Sequence, residues 1–473
     1  MWKLAAMNNI VKIILAALSV LVVGCGSFDG AAIRTEHSSE YQKLIAEKTD
    51  EILADRSFGL SDCVKIALEN NLNVRTSKIE QRIAKLNKKV AFSNFLPTVN
   101  LDYQYTRWDN QPKVKLGATT AAMHDARIRE VTWNIQTSIF DPSTWFLYSL
   151  HKRGEEIAEL VTKYTRQMTI LEVTINYYHC LSLEQAERAL ASQVTAAVEL
   201  ERQVRAFYEE GLVTASENQK ADVHLLWRKT ELSRTRNALA QAKADLLTSM
   251  GLSPMADISL VEDANIETPA ETLEDLVAET LISNPQLFIA DRQIAIEKEK
   301  VKIAFSGFLP RLIGFAGRTH SSDSYMVYDN YWTYGLAGTM SIFNGFATIN
   351  EYKVAKQRKE AAFVNREQQT LTLILQVVKA HLNLKDADEQ NILTERAFSA
   401  ASTHFAEVDA KWREGLVHSS EMLTVQAERD MAEMDVMNSR FSQQVSVATL
   451  YNVIGTGDIG YEEDKEIDNA AGK

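Results

Sequence analysis

Few residues in this 473-residue chain are placed to do covalent chemistry. The nine histidines are scattered, and none stands at a zinc-type spacing from Cys or Glu. His179 and Cys180 are adjacent in a helical pattern, so they face different sides and suit packing better than a nucleophile–base pair. Gly455-Thr456-Gly457-Asp458-Ile459-Gly460 fits the G-x-G-x-x-G spacing, yet it follows a helical pattern rather than a strand and leads into a charged tail. There is no Walker A loop and no Gly-x-Ser-x-Gly elbow. The sequence therefore calls for no catalytic residue, no metal and no cofactor.

One cysteine is placed for modification. Met1–Gly24 carries Lys3 and Lys12, then the apolar run Ile13–Val23, then Gly24, the pattern of a secretory signal. That run is too short to span a bilayer comfortably. Val22-Val23-Gly24-Cys25 resembles a bacterial lipobox, which implies cleavage before Cys25 and acylation of its thiol and amine. Acyl chains in that number suffice for stable membrane attachment. Gly26 in place of Asp fits outer-membrane sorting. Cys63 and Cys180 are then the remaining cysteines, too few for a disulfide framework, and are expected as buried thiols.

The formal charge is −12, and loss of Lys3 and Lys12 with the signal takes it to −14. That balance argues against a nucleic-acid partner. Charged residues at 24% and only 7 prolines argue against a disordered chain.

The elements that would position any site come from a duplication. Ala91-Phe92-Ser93-Asn94-Phe95-Leu96-Pro97 returns as Ala304-Phe305-Ser306-Gly307-Phe308-Leu309-Pro310. Leu60, Asp62, Val64, Leu68 and Asn71 fall at the same offset on Leu273, Asp275, Val277, Leu281 and Asn284. The hydrophobic period is helical before Pro97 and Pro310 and becomes two after them. The spacing predicts helices over Leu60–Leu96 and Leu273–Leu309, with Ser61 as a cap for the first. Strands follow at about 98–108, 131–140, 311–319 and 331–343, the third glycine-rich and weakly alternating, with a loop over 109–129. Long helices are expected from Ser143 to Glu209 and from Ala347 to Arg413, each about 100 Å. Gly211-Leu212-Val213 and Gly415-Leu416-Val417 break them, and helices Thr214–Met250 and one ending near Ile454 return.

The units are a signal at 1–24, a polar tether at 25–57, a first repeat at 58–254, a connector at 255–272, a second repeat at 273–455 and an acidic tail at 456–473. The path closes as a rod of antiparallel helices with four strands at one end. Those strands alternate apolar and polar side chains, as in a membrane β-barrel with a lipid-facing outside and a wet inside. Four strands leave open edges, which lipid does not tolerate, so the chain must oligomerise.

A helix ending in Phe-Leu-Pro, a strand pair, an unbroken long helix and a Gly-Leu-Val turn, all repeated over about residues 58–455, resemble the TolC-type outer-membrane efflux ducts. The lipobox resembles their NodT- and OprM-like lipoprotein branch. The resemblance implies a mainly α fold with a membrane β part: a homotrimer with a 12-stranded β-barrel and a periplasmic α-barrel. It implies no enzyme activity, a place in the outer membrane, and partners in a periplasmic adaptor and an inner-membrane transporter. The adaptor would dock at helical tips 210–214 and 414–418, made by Gly211, Leu212, Val213, Gly415, Leu416 and Val417. The family often carries an Asp six residues after the tip Gly; here Glu217 and Glu421 stand there. Three copies of Glu421, with Glu217 as a lesser candidate, would ring the periplasmic gate with carboxylates. A one-step protein secretion duct and a lipid-anchored helical scaffold without a pore are the alternatives.

Overall fold

The computed structural model describes residues 30–54, 56–261 and 268–457. The signal at 1–24, Cys25 and the tail from 458 onward lie outside the described residues.

The described part of the expected tether is a helix, α1 (Gly30–Leu53). It holds Ala, Glu, Lys and Leu, good helix formers, and no Pro. Its C-terminal end is fixed to the body: Thr49 is buried and its Oγ1 accepts the Ser253 N–H at 2.9 Å. Two residues of β1 (Ser57–Phe58) then pair in parallel with β6 (Ser259–Leu260) of the connector.

Each of the two expected entry helices is broken once. The first is α2 (Leu60–Asn70) and α3 (Leu72–Ser93); the second is α6 (Leu273–Ser283) and α7 (Pro285–Ser306). Asn71 and Asn284 sit at the breaks. Each amide oxygen caps the following helix, accepting from Asn73 and Val74 N–H in one case and from Gln286 N–H in the other. Asn competes with the helical backbone through such local bonds, which is why it works as a cap. The cap of α2 is Gly59 rather than Ser61, with the Asp62 carboxylate accepting the Gly59 N–H at 3.3 Å.

The same asparagines tie each repeat to its own end. Asn71 Nδ2 donates to the Ser249 carbonyl at 2.7 Å, and Asn284 Nδ2 to the Val453 carbonyl at 2.8 Å. Gly251 and Gly455 lie against these breaks with φ of +74° and +95°. A Cβ on Gly251 would lie 2.4 Å from the Asn70 carbonyl oxygen, and one on Gly455 2.8 Å from Asn284 Cα, so both backbone conformation and space select glycine.

After Pro97 and Pro310 the strands begin at once: β2 (Thr98–Arg107) and β7 (Arg311–Ser321). The loop expected over 109–129 contains a hairpin, β3 (Lys113–Leu116) and β4 (Thr119–Ala122), and β5 starts early (Arg127–Phe140). The last strand, β8 (Asn330–Thr339), stops before Met340 and Ile342. The main sheet is antiparallel in the order β2-β5-β7-β8. The glycines of β7 and β8 leave room for neighbours: a Cβ on Gly314 would meet Ile139 at 2.9 Å, and one on Gly335 the Phe315 ring at 2.9 Å. This is why the third strand alternates weakly.

The long helices are α4 (Pro142–Glu209) and α8 (Ala347–Arg413), with returning partners α5 (Ala215–Ser249) and α9 (Ser419–Ile454). Pro142 occupies the first turn of α4, where its missing N–H costs nothing. Helix α7 lies along the sheet-side half of α4, through Arg292–Glu156 at 2.6 Å. Helix α5 lies along the other half, through Arg236–Glu187 at 2.8 Å. Short helices set end to end therefore accompany each long one. At mid-length the core gathers Phe58, Cys63, Val64, Val173, Tyr177, Cys180, Met250 and Ile258. Burial pushes the Cys180 thiol up to about 12, so it is an inert packing group, while adjacent His179 turns away onto Phe441.

Candidate functional site

Two features can act on a passing solute: the sheet at one end and the helical turns at the other. The register divides the sheet into two faces, because directly paired residues point the same way. One cross-strand row reads Leu101, Trp133, Arg318, Trp332, and the row two residues below it reads Val99, Ile135, Ala316, Tyr334. The opposite face carries the rows Asn100, Asn134, Gly317, Thr333 and Asp102, Thr132, Thr319, Tyr331. On that polar face Asn134 Nδ2 donates to Asp102 Oδ2 at 3.2 Å. The apolar side chains Val99, Leu101, Tyr103, Trp133, Trp332, Tyr334 and Leu336 are exposed. Strands β2 and β8 form the edges of this sheet.

At the far end, Gly211 and Gly415 take φ of +74° and +75°, the left-handed conformation that ends α4 and α8. Leu212 and Leu416 project from the turns, 68% and 69% exposed. Val213 and Val417 turn inward. Val213 and Leu423 each pack against the cluster of Leu200, Val204 and Ala221, Val417 against that of Val408, Met422 and Val425, and Trp412 against both.

The two tip acids differ in role despite equal spacing. Glu217 closes a capping box at the start of α5: its carboxylate accepts the Thr214 N–H at 2.8 Å and the Thr214 hydroxyl at 3.0 Å. The Thr214 backbone N–H, foremost, holds its carboxyl below the usual range. Glu421 sits in the first turn of α9, where residue 418 is His and gives no side-chain cap. Its side chain is exposed and engages no described residue. Of the two tip acids, Glu217 is thus taken up by its own helix cap and Glu421 is not.

Between tip and mid-length lies a buried polar layer that the sequence reading did not single out. Arg228 of α5 faces Asp430 of α9 at 2.8 Å, with the side chains 3% and 0% exposed. The two charges are in ion-pair contact but out of line for a hydrogen bond, so Arg228 Nη2 and Asp430 Oδ2 remain without one. Burial dominates both groups, pushing the Asp430 carboxyl up and the Arg228 guanidinium down despite their attraction. Arg429 adds a 2.9 Å contact to Asp430 and stacks over Phe405. Nearby His224 is held neutral, its pKa lowered to about 4 by burial first and Arg228 second. Met422, Gln426 and Asp430 are spaced by fours on one buried face of α9, but with two of the three polar that face carries no apolar signal in the sequence.

Pro97 and Pro310 stand where the helices give way to strands. Among the described residues no helix is long and apolar enough to cross a membrane.

No individual curated protein matches the chain significantly. Solved structures do. The CmeC outer membrane channel of Campylobacter jejuni shares 17% identity at a TM-score of 0.75, covering 84% of this chain and 86% of that one. The outer membrane protein VceC of Vibrio cholerae shares 15% at 0.71, covering 84% and 96%. The open state of the MtrE outer membrane channel of Neisseria gonorrhoeae shares 16% at 0.69, covering 84% and 89%. At such identities these likenesses establish the fold. Membership is established by the match to the outer membrane efflux protein family over residues 63–252 and 276–456, which takes in both repeats and more than half of the sequence. With its duplicated helix–sheet–helix plan and that match, the chain belongs to the outer membrane efflux protein family, the TolC-type ducts.

Proposed function

We propose that three copies of this chain assemble into a closed duct, the outer-membrane part of a tripartite efflux system. The observation that carries this reading is the four-stranded sheet with one apolar face, one polar face and two free edges. Pairing β8 of one copy with β2 of the next removes every open edge, which lipid requires. Twelve strands then enclose a lumen lined by residues such as Asn100, Asp102, Asn134 and Thr333. Four helical columns per copy continue the tube into the periplasm, and conduction through it is passive. Substrate reaches the duct from an inner-membrane transporter through an adaptor seated on the tips around Leu212 and Leu416. Cys25, diacylated and acylated after removal of residues 1–24, anchors each copy in the outer membrane. Three Glu421 carboxylates near the axis favour cations at the periplasmic entrance.

Planar-bilayer recording on the purified full chain, with its oligomer mass measured in parallel, tests the reading. Discrete cation-preferring channels from a trimer are expected. A monomer that neither inserts nor conducts would leave a helical scaffold instead. Growth with labelled palmitate is expected to label the wild type and not Cys25→Ser.

A further inference from the structure

The charges of the main sheet are sorted by face. The acids of its four strands are Asp102 and Glu130, and the register places both on the polar face. The apolar face carries no acid in any strand, but it carries Arg107, Arg127, Arg129 and Arg318. All four lie toward the end of the sheet away from the helices. Arg107 and Arg127 are direct cross-strand partners, and Arg129 stands opposite Tyr105 in the next row of the same face. Further down, Arg318 lies between Trp133 and Trp332, stacked on the Trp332 ring at 5.7 Å and bonded to Asn330 at 3.0 Å.

This arrangement opposes itself. Like charges directly opposite one another on a sheet are destabilising. Arg107, Arg127 and Arg129 are exposed and have no carboxylate partner among the described residues. The chain as a whole is acidic, at −12, so this cluster is a local inversion. Arginine is the side chain suited to planar, two-pronged contact with phosphate. The face below the cluster is the aromatic and aliphatic band that meets hydrocarbon, and Trp and Tyr mark the level of lipid head groups.

We propose that Arg107, Arg127 and Arg129, with Arg318 beneath them, form a binding site for the phosphate groups of an anionic lipid in the outer leaflet. The lipid's acyl chains lie along Tyr103, Tyr105, Val131 and Trp133 while its phosphate bridges the opposed Arg107 and Arg127. The site rests on the outer-membrane reading and adds to it a lipid class, held by residues on the outside of the wall rather than in the lumen.

The test is equilibrium binding of bisphosphorylated lipid A to the purified full chain in neutral detergent. The same lipid stripped of phosphate, phosphatidylcholine and inorganic phosphate serve as comparison ligands. The wild type is expected to bind the phosphorylated lipid, weakening with added salt, and the dephosphorylated lipid at least tenfold more weakly. Arg107→Gln, Arg127→Gln and Arg129→Gln combined are expected to weaken binding tenfold or more, since each basic residue near an anionic surface contributes separately. The corresponding triple Lys variant keeps most of the binding, and Arg311→Gln, at the other end of the sheet, leaves it unchanged. Equal binding by the triple Gln variant, or by the stripped lipid, overturns the proposal. So does saturation by inorganic phosphate at the same concentration as the lipid. Conductance of the triple Gln variant in phosphatidylcholine bilayers separates the two readings: a conducting variant that binds lipid A normally sinks the arginine site alone, whereas failure of the wild type to conduct sinks the duct.

Discussion

Arg228 and Asp430 meet at 2.8 Å in a fully buried contact between the returning helices of the two repeats, α5 and α9. Desolvation opposes charge on both partners, so the pair holds only while both are present. Asp430→Ala is expected to cost about 3–5 kcal/mol, because it strands the buried Arg228 charge, and Arg228→Ala is expected to cost less, because Asp430 keeps Arg429 at 2.9 Å. Replacing both, as Arg228→Met with Asp430→Leu, is expected to recover most of that loss. Thermal unfolding of the four proteins completes the cycle. Two single variants that add up to the double would remove the pair as a structural contact.

His224 gives the same layer a dependence on acid. Its pKa is about 4 in the folded chain against an ordinary value of 6.5. As pH falls below about 6.5 the unfolded chain takes up a proton that the folded chain refuses until about pH 4. Stability is therefore present above 6.5 and declines between 6.5 and 4. The melting temperature of His224→Gln is expected to fall less over that interval than that of the wild type. Parallel melting curves for the two would show that His224 does not report this burial.

Asn71→Ala and Asn284→Ala each remove a helix cap and a buried bond to the far end of the repeat. Each is expected to lower stability by about 2 kcal/mol, measured by denaturant unfolding. Gly251→Ala should be worse, since its new methyl would press on the Asn70 carbonyl at an unfavourable φ.

The tip acids should separate in function. Glu421→Gln is expected to reduce cation preference and conductance in planar bilayers while leaving the melting temperature unchanged. Glu217→Gln is expected to leave conduction unchanged and to weaken the start of α5, because its carboxylate is engaged by Thr214. Since that carboxyl titrates below its usual range, the Glu217 contribution is present above about pH 4.5 and is lost as pH falls further. An unchanged ion preference in Glu421→Gln would remove the acid ring from the mechanism.

Much of the fold was legible because it repeats and because its periods are long. The Ala347–Arg413 helix shows its observed ends in the sequence, whereas the apolar spacing of α4 misplaces its buried face: Val161 and Met168 are exposed, and Ile170, Val173 and Tyr177 are buried. The breaks at Asn71 and Asn284 were not foreseen, although the two asparagines were matched as equivalents. One Asn within a helical stripe does not interrupt the period, and its capping role depends on Ser249 and Val453, about 170 residues away in each case. Arg228 and Asp430 were missed for the same reason: each looks like one more surface charge until α5 and α9 are packed together. The hairpin at 113–122 escaped because Lys113–Leu116 and Thr119–Ala122 are too short to show a period. Glu217 and Glu421 were legible as a pair, but their difference lies in Thr214 against His418 three residues earlier.

The unbroken length of α4 has a mechanical consequence. Its mid-length core contacts, at Val173, Tyr177 and Cys180, divide the rod into two arms of about 50 Å, since the helix rises 1.5 Å per residue. A fulcrum at the middle turns small rotations into large excursions: each degree of tilt there carries the Gly211 end sideways by about 0.9 Å, given that arm length. In the proposed trimer, the aperture at the tips would therefore change by several ångströms while every backbone hydrogen bond of α4 stays intact, and while the sheet at the opposite end is held by the barrel wall.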